Sequence, residues 1–331
     1  MPRFMNVSFQ SLLSVMFLSL TLGACGGGPC QCVVDAPEGH VVAACGESVC
    51  LTGPGGAGYA CSADGKALTP EPTACPEVQN FSKGTGGMTG LYETQLDDSG
   101  KARNYAVYVP TGYTGQTAVP LVLHFHGWRP APAGVKQEVQ YVWKATAEAN
   151  DFIVVAPEGA PCPELDPGSD PFLCFDETRD GAWIEKLRTL LQSQYNIDID
   201  RVYLSGHSGG SFFVQGYGLL NPTTYAAAAE FSGGCIAASG DYGNSCSQYE
   251  KLMKTPARKI PFYLTHNPGD MVVPQYYSKD MLLLFQQYEY PTMTHFEAYN
   301  GGSTGHSIDP KLPGPTWDWL KQYAHPMGPT K

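Results

Sequence analysis

The chain is predicted to fold as an α/β domain on a mostly parallel sheet with helices on both faces, preceded by a small cysteine-rich segment. Three observations predict it. Apolar runs of strand length alternate with longer stretches of helical apolar spacing from Tyr105 to the C-terminus, the pattern of a parallel sheet covered on both sides. A G-x-S-x-G pentapeptide, Gly206-His207-Ser208-Gly209-Gly210, lies between the β-run Arg201-Val202-Tyr203-Leu204 and a small-residue helix start. Six cysteines (Cys30, Cys32, Cys45, Cys50, Cys61, Cys75) crowd a Gly- and Pro-rich stretch with few large apolar residues, which could not fold on core burial alone.

Taken in chain order, residues 1–24 read as an export signal: Arg3, an apolar stretch from Leu12 to Leu22, then Leu22-Gly23-Ala24-Cys25. The apolar run is too short for a bilayer span. Leu-Gly-Ala-Cys resembles the bacterial lipobox, which would make Cys25 the lipidated first residue of a membrane-anchored mature protein. An ordinary secretory signal with an incidental cysteine is the alternative. Of 11 cysteines, setting Cys25 aside leaves an even ten, compatible with disulfides in an oxidising compartment outside the cell. Residues 25–80 are therefore expected to be a disulfide-stapled segment. Its irregular spacing and export argue against a zinc module.

Residues 81–90 (FSKGTGGMTG) read as a flexible linker, and a catalytic domain is expected over 88–331. Its strand candidates are Tyr105 to Val109, Leu121 to Phe125, Phe152 to Ala156, Arg201 to Leu204, Ala226 to Phe231, Pro261 to Thr265 and Thr294 to Tyr299. Helices are expected over Val135 to Asn150, Asp180 to Tyr195, Ser211 to Leu220, Gln275 to Tyr288 and Trp317 to Tyr323. Asp176, Glu177 and Asp180 sit where carboxylates favour a helix N-terminus. Cys162 and Cys174 bracket one loop and Cys235 and Cys246 another; the first follows a strand's C-terminal end, the side on which such sheets bind ligands.

The balance of 20 basic against 31 acidic residues, net −11, argues against nucleic acid and against electrostatic docking on anionic lipid. Neutral substrates suit it better. A single-copy enzyme is expected.

The pentapeptide carries the chemistry. Glycines two residues either side of Ser208 leave room for a strained strand-to-helix turn that lifts its hydroxyl clear of the sheet. Asp270 follows just past the hydrophobic strand Phe262-Tyr263-Leu264-Thr265, and His306 ends the glycine-rich run Gly301-Gly302-Ser303-Thr304-Gly305. The order Ser, Asp, His is that of the α/β-hydrolase triad, in which the imidazole relays the serine proton and the carboxylate fixes the imidazole. Asp309 is too close to His306 in sequence to replace Asp270 comfortably. The run PLVLHFHG ends in His-Gly before Trp128, so backbone amides at Trp128 and Gly209 are expected to form the oxyanion hole. His124 and His126 form an H-x-H pair that could also hold a metal, but the oxyanion loop already accounts for His126-Gly127, and neither metal nor organic cofactor is expected. Trp128 and His207 are candidates for substrate contact.

NYAVYVPTGY, PLVLHFHGW, VVAPEG, DRVYLSGHSGGS, PGDMVVP and the final GHS together resemble the polyhydroxybutyrate depolymerase and feruloyl esterase group of α/β-hydrolases, over roughly residues 88 to 325. The resemblance carries Ser208, Asp270 and His306 over at matching positions. It departs at His207, Gly209 and Trp128, where the group usually has Leu, a small apolar residue and Cys. It implies a serine carboxylic ester hydrolase acting on a polyester or on a plant-wall ester such as feruloyl or acetyl xylan. A serine peptidase of the same fold and a non-catalytic polymer- or carbohydrate-binding lipoprotein are the alternatives.

Overall fold

The computed structural model describes residues 30–36, 39–50, 58–70, 80–162, 172–236 and 245–325. The export signal with Cys25, the cysteine Cys75 and most of the loop between Cys162 and Cys174 lie outside the described residues.

Eight strands form the central sheet: β1 (Gly90–Asp98), β2 (Lys101–Val109), β3 (Val119–Phe125), β4 (Ile153–Pro157), β5 (Ile197–His207), β6 (Ala228–Phe231), β7 (Phe262–Thr265) and β8 (Thr292–His295). Their spatial order is β1-β2-β4-β3-β5-β6-β7-β8. β2 runs antiparallel to both its neighbours, and every pair from β4 to β8 is parallel. Among the described residues, seven helices alternate with these strands: α1 (Val135–Val142), α2 (Lys144–Asn150), α3 (Glu177–Gln194), α4 (Gly209–Leu220), α5 (Ser245–Met253), α6 (Tyr276–Gln287) and α7 (Pro313–Leu320).

Alternation along each strand builds two cores. Leu121, Leu123, Phe125, Val202 and Leu204 face a cluster completed by Trp183, Leu187 and Leu191 of α3, Phe213 of α4 and Phe285 of α6. Val122, Val154 and Tyr203 face the other side, against Val139 of α1, Trp143, and Trp317 and Leu320 of α7. Because every central strand is buried on both faces, each reads in sequence as a continuous apolar run.

The expected strands are present, mostly with shifted bounds. The edge strand β1 escapes a hydrophobic reading because GLYETQLDD is half exposed. The expected Val135–Asn150 helix divides at Trp143, whose ring is buried and whose Nε1 donates to His124 Nδ1 (3.1 Å). α3 starts earlier than expected, capped by Asp176, whose carboxylate accepts from the amides of Thr178 and Arg179. Asp180 is fully buried and ion-paired to Arg103 (2.8 Å). The Cys235–Cys246 disulfide leads into α5, a helix that the loop reading missed.

The stretch 81–90 is not a free linker. Ser82 N–H donates to Ile197 O (2.9 Å), Asn80 Nδ2 donates to Asp200 Oδ1 (3.0 Å) and the Tyr195 hydroxyl donates to Met88 O (2.9 Å). Its small, polar composition lets the backbone lie flat along the end of α3.

The cysteine-rich segment is a hairpin (Gln31–Ala36 with Gly39–Ala44) and a three-stranded sheet (Ser48–Cys50, Gly58–Cys61, Leu68–Pro70). Disulfides Cys30–Cys45 and Cys32–Cys61 staple it. Cys32, Ala43 and Cys61 share a buried cluster with Ala226, Ala227, Trp319 and Tyr323. That places the segment beside α7 and the residues that enter β6, the end of the sheet opposite to Ser208. The four disulfides among the described residues suit an oxidising compartment.

Candidate active site

The register of the parallel strands gathers the site residues along one edge. Gly206 of β5 pairs with Phe125 of β3, and His207 pairs with Phe231 of β6, so the chain turns out of all three strands at the same level. Ligands bind at this carboxyl end in open α/β sheets.

Ser208 follows β5 and caps α4 with φ 54° and ψ −122°, a conformation that L side chains rarely adopt and that costs ~1–3 kcal/mol. The surrounding fold enforces it. A side chain on Gly206 would overlap Gly210 O, and one on Gly210 would overlap Phe125 O, so only glycine lets the turn cross itself. Ser208 N–H donates to Phe231 O (2.9 Å), and Ser211 Oγ, held to Gly206 O (2.6 Å) and receiving Phe231 N–H (2.9 Å), pins the turn from beneath.

Asp270 and His306 meet. His306 Nδ1–H donates to Asp270 Oδ2 (2.7 Å), while Asp270 Oδ1 accepts from the amides of Val272 (2.8 Å) and Val273 (2.9 Å). Burial pushes the carboxyl up, but these three bonds outweigh it and hold its pKa below the ordinary value. The carboxylate is thereby kept charged beside the imidazole. Met271 N–H donates to Thr304 O (2.9 Å), tying the acid turn to the histidine loop. Asp309 accepts from the amides of Asn300 (3.1 Å) and Lys311 (2.9 Å) and shapes that loop.

His126 is buried and orders the loop that leads into Trp128, from which one oxyanion donor is expected. Gly159 N–H donates to its Nε2 (2.9 Å), so the proton sits on Nδ1, which donates to Gly127 O (2.6 Å). Burial pushes its pKa down to about 4, leaving the ring neutral. With the Gly127 carbonyl turned to His126, the Trp128 amide of the same planar peptide points the opposite way. At the start of α4 the Gly209 amide has no intrahelical acceptor and supplies the second expected donor. The Trp128 side chain, 44% exposed, lies against Gly209 at the mouth of the site.

His124 belongs to a different network: Nδ1 receives Trp143 Nε1–H and lies 3.1 Å from Ser205 Oγ, and Nε2 faces Glu138 Oε1 (3.4 Å). Glu138 also pairs with Arg129 (2.7 Å), next to Trp128. Both ring nitrogens of each H-x-H histidine are thus engaged with protein groups. The strand pair Phe172–Cys174 and Ala160–Pro161 joins Arg129–Pro130 in a small sheet, so the Cys162–Cys174 disulfide braces the loop after Trp128. The sequence placed that bridge at the rim, but its pairing with the loop after Trp128 depends on tertiary contact.

His207 does not face open space. Its Nε2–H donates to His306 O (2.6 Å), and the two rings lie 4.9 Å apart at 39°. His266, unremarked in the sequence, sits beside Asp270 with Nε2 donating to Val273 O (2.8 Å) and lying 3.5 Å from Asp270 Oδ2. Its place at the end of β7, four residues before the acid, is the signal that would have found it.

No family model matches the chain. It is 27% identical over 198 residues to a bifunctional acetylxylan esterase/xylanase of Neocallimastix patriciarum, a match covering 59% of this chain and 26% of that protein. The chain thus spans about a quarter of that curated relative's length. Among solved structures, a thermostable esterase superposes with TM-score 0.55 at 21% identity, covering 71% of this chain and 63% of that one. A ferulic acid esterase of Anaeromyces mucronatus in complex with ferulic acid gives 0.52 at 14% identity, covering 72% and 92%. An S-formylglutathione hydrolase of Agrobacterium tumefaciens gives 0.52 at 17%, covering 73% and 98%.

Proposed function

We propose that this chain, an α/β-hydrolase by fold, is a serine carboxylic ester hydrolase that forms an acyl-enzyme on Ser208. The observation that carries the reading is the Asp270–His306 hydrogen bond of 2.7 Å on the same sheet edge as a serine held at φ 54°. In this reading His306 Nε2 takes the Ser208 proton as Oγ attacks the ester carbonyl, and the Asp270 carboxylate steadies the imidazolium. The amides of Trp128 and Gly209 receive the developing oxyanion. The proton then passes from His306 to the leaving alcohol, and water repeats the sequence to release the acid.

The substrate class favoured is an acylated plant-wall polysaccharide carrying acetyl or feruloyl esters, ahead of a polyester. What supports it is the sequence match to an acetylxylan esterase/xylanase, joined by the likeness to a ferulic acid esterase. A polymer that cannot enter a cell calls for an exported enzyme, and the four disulfides are consistent with export. Lipid attachment at Cys25 is part of the same proposal: Cys25→Ser should move the protein from the membrane fraction to the medium.

The test is a panel of acetylated xylan, methyl ferulate, 4-nitrophenyl esters of rising acyl length, a poly(3-hydroxybutyrate) film and an amide analogue. Release of acetate or ferulate without film clearing is expected. Turnover of the amide with silence on every ester would overturn the reading in favour of a peptidase.

A further inference from the structure

We propose that His207 is a positioning residue that locks the base loop to the nucleophile elbow through the hydrogen bond from its Nε2 to the backbone carbonyl of His306; the role rests on the reading of Ser208, Asp270 and His306 as a triad. The two halves of the site come from separate elements. Ser208 rides the turn between β5 and α4, whereas Asp270 and His306 ride loops that follow β7 and β8.

Within the acid–base half the loops are bonded to one another several times. His306 Nδ1 holds Asp270 Oδ2, Met271 N–H holds Thr304 O and Asn267 Nδ2 donates to Tyr299 O (3.0 Å). Between the halves the ties are few. Among the described residues, one hydrogen bond joins residues 300–307 to the elbow 206–210, and it is the 2.6 Å bond from His207 to His306 O. The carbonyl it grips belongs to the residue whose ring must carry the proton, so a shift of that carbonyl moves the imidazole with it. Misplacement by about 1 Å at a reacting group costs ~100-fold in rate.

The chemistry of the contact fixes the state of the ring. A carbonyl only accepts, so His207 must carry its proton on Nε2. Burial, with His306 close by, keeps the ring neutral, its pKa pushed down to about 4. Neutrality matters because the His306 ring, 4.9 Å away centre to centre, becomes a cation when it accepts the serine proton. A permanent positive charge at residue 207 would oppose that step. Residue 207 is thus the shared corner of the two halves, with its polar end committed to the base loop rather than to a substrate.

The experiment assays His207→Leu, His207→Gln and Ser208→Ala side by side on one 4-nitrophenyl ester. His207→Leu should lower kcat ~10- to 100-fold with KM changed by less than about 2-fold. His207→Gln, which places an amide N–H near the Nε2 position, should restore most of kcat. A rise in KM at unchanged kcat would make His207 a substrate contact and overturn the proposal, as would wild-type kinetics in His207→Leu. Persistent activity in Ser208→Ala would instead overturn the triad reading. The wild-type protein offers a test that needs no variant: the imidazole 15N resonances of His207 should report the Nε2–H tautomer, and an Nδ1–H tautomer would contradict the bond.

Discussion

The side chain of Trp128 occupies the space into which a side chain at residue 209 would project, so that a β-carbon built on Gly209 would overlap its indole ring. The two residues lie on different segments, Trp128 on the loop after β3 and Gly209 at the first position of α4, and they carry the two expected oxyanion donors. This accounts for two departures from the resembled group together: the tryptophan after His-Gly requires the glycine after the serine. Gly209→Ala should therefore push the indole aside and lower kcat by at least ~10-fold. In a Trp128→Ala background the same change should cost far less, and additive losses in that double-mutant cycle would refute the coupling.

His126 should matter through the peptide that it orients. His126→Ala is expected to lower kcat by ~10- to 100-fold, somewhat less than outright loss of an oxyanion donor at ~100- to 1,000-fold. Its folded pKa of about 4 lies below the ordinary 6.5, so its stabilising contribution is complete above pH 6.5 and is lost as pH falls towards 4. Urea unfolding of the wild type should weaken across that window. His126→Phe should show a flatter profile there, and an unchanged slope would exclude the buried ring as its source.

Glu230 makes the opposite prediction. Its carboxyl is buried beneath the elbow, with one oxygen receiving Gln215 Nε2–H, and burial raises its pKa well above the ordinary 4.5. A folded pKa raised above the unfolded one means that the native state binds the extra proton, so stability falls as pH rises above about 4.5. Glu230→Gln removes that penalty. The variant should gain on the wild type with rising pH, as read by denaturation midpoints at pH 5 and pH 8; a gain that shrinks with pH would reverse the assignment.

The sequence made most of this legible where chemistry and burial coincide. Ser208, Asp270 and His306, the proposed triad, stand out because a serine on a strained turn, a carboxylate at a strand end and a histidine on a glycine loop each need particular neighbours in the chain. The central strands are apolar on both faces and are read as runs. What stayed hidden depends on contacts between distant segments. β1 is polar because it is an edge, α1 and α2 part where Trp143 turns inward to His124, and residues 81–90 look like a linker while lying along the end of α3. His207 could be seen beside Ser208, but its partner, 99 residues away, could not.

The Cys162–Cys174 bridge should support both stability and activity, because Phe172–Cys174 pairs with Arg129–Pro130 directly after Trp128. Closing a loop of this size is worth ~3 kcal/mol. A Cys162→Ser/Cys174→Ser variant should melt at lower temperature and, where still folded, lose kcat as the loop proposed to carry the Trp128 oxyanion donor loosens. Full activity in a destabilised variant would confine the bridge to stability.

The central claim is that Ser208 is the nucleophile activated by His306 and Asp270. Its most direct measurement is active-site labelling by a fluorophosphonate followed by peptide mass mapping, run on wild type, Ser208→Ala, His306→Ala and Asp270→Asn. The account predicts one adduct on Ser208 in the wild type, none in Ser208→Ala, near-absence in His306→Ala, and a smaller loss of labelling in Asp270→Asn, with ester turnover falling in parallel. An adduct on another residue, or ester turnover surviving in Ser208→Ala, would contradict it.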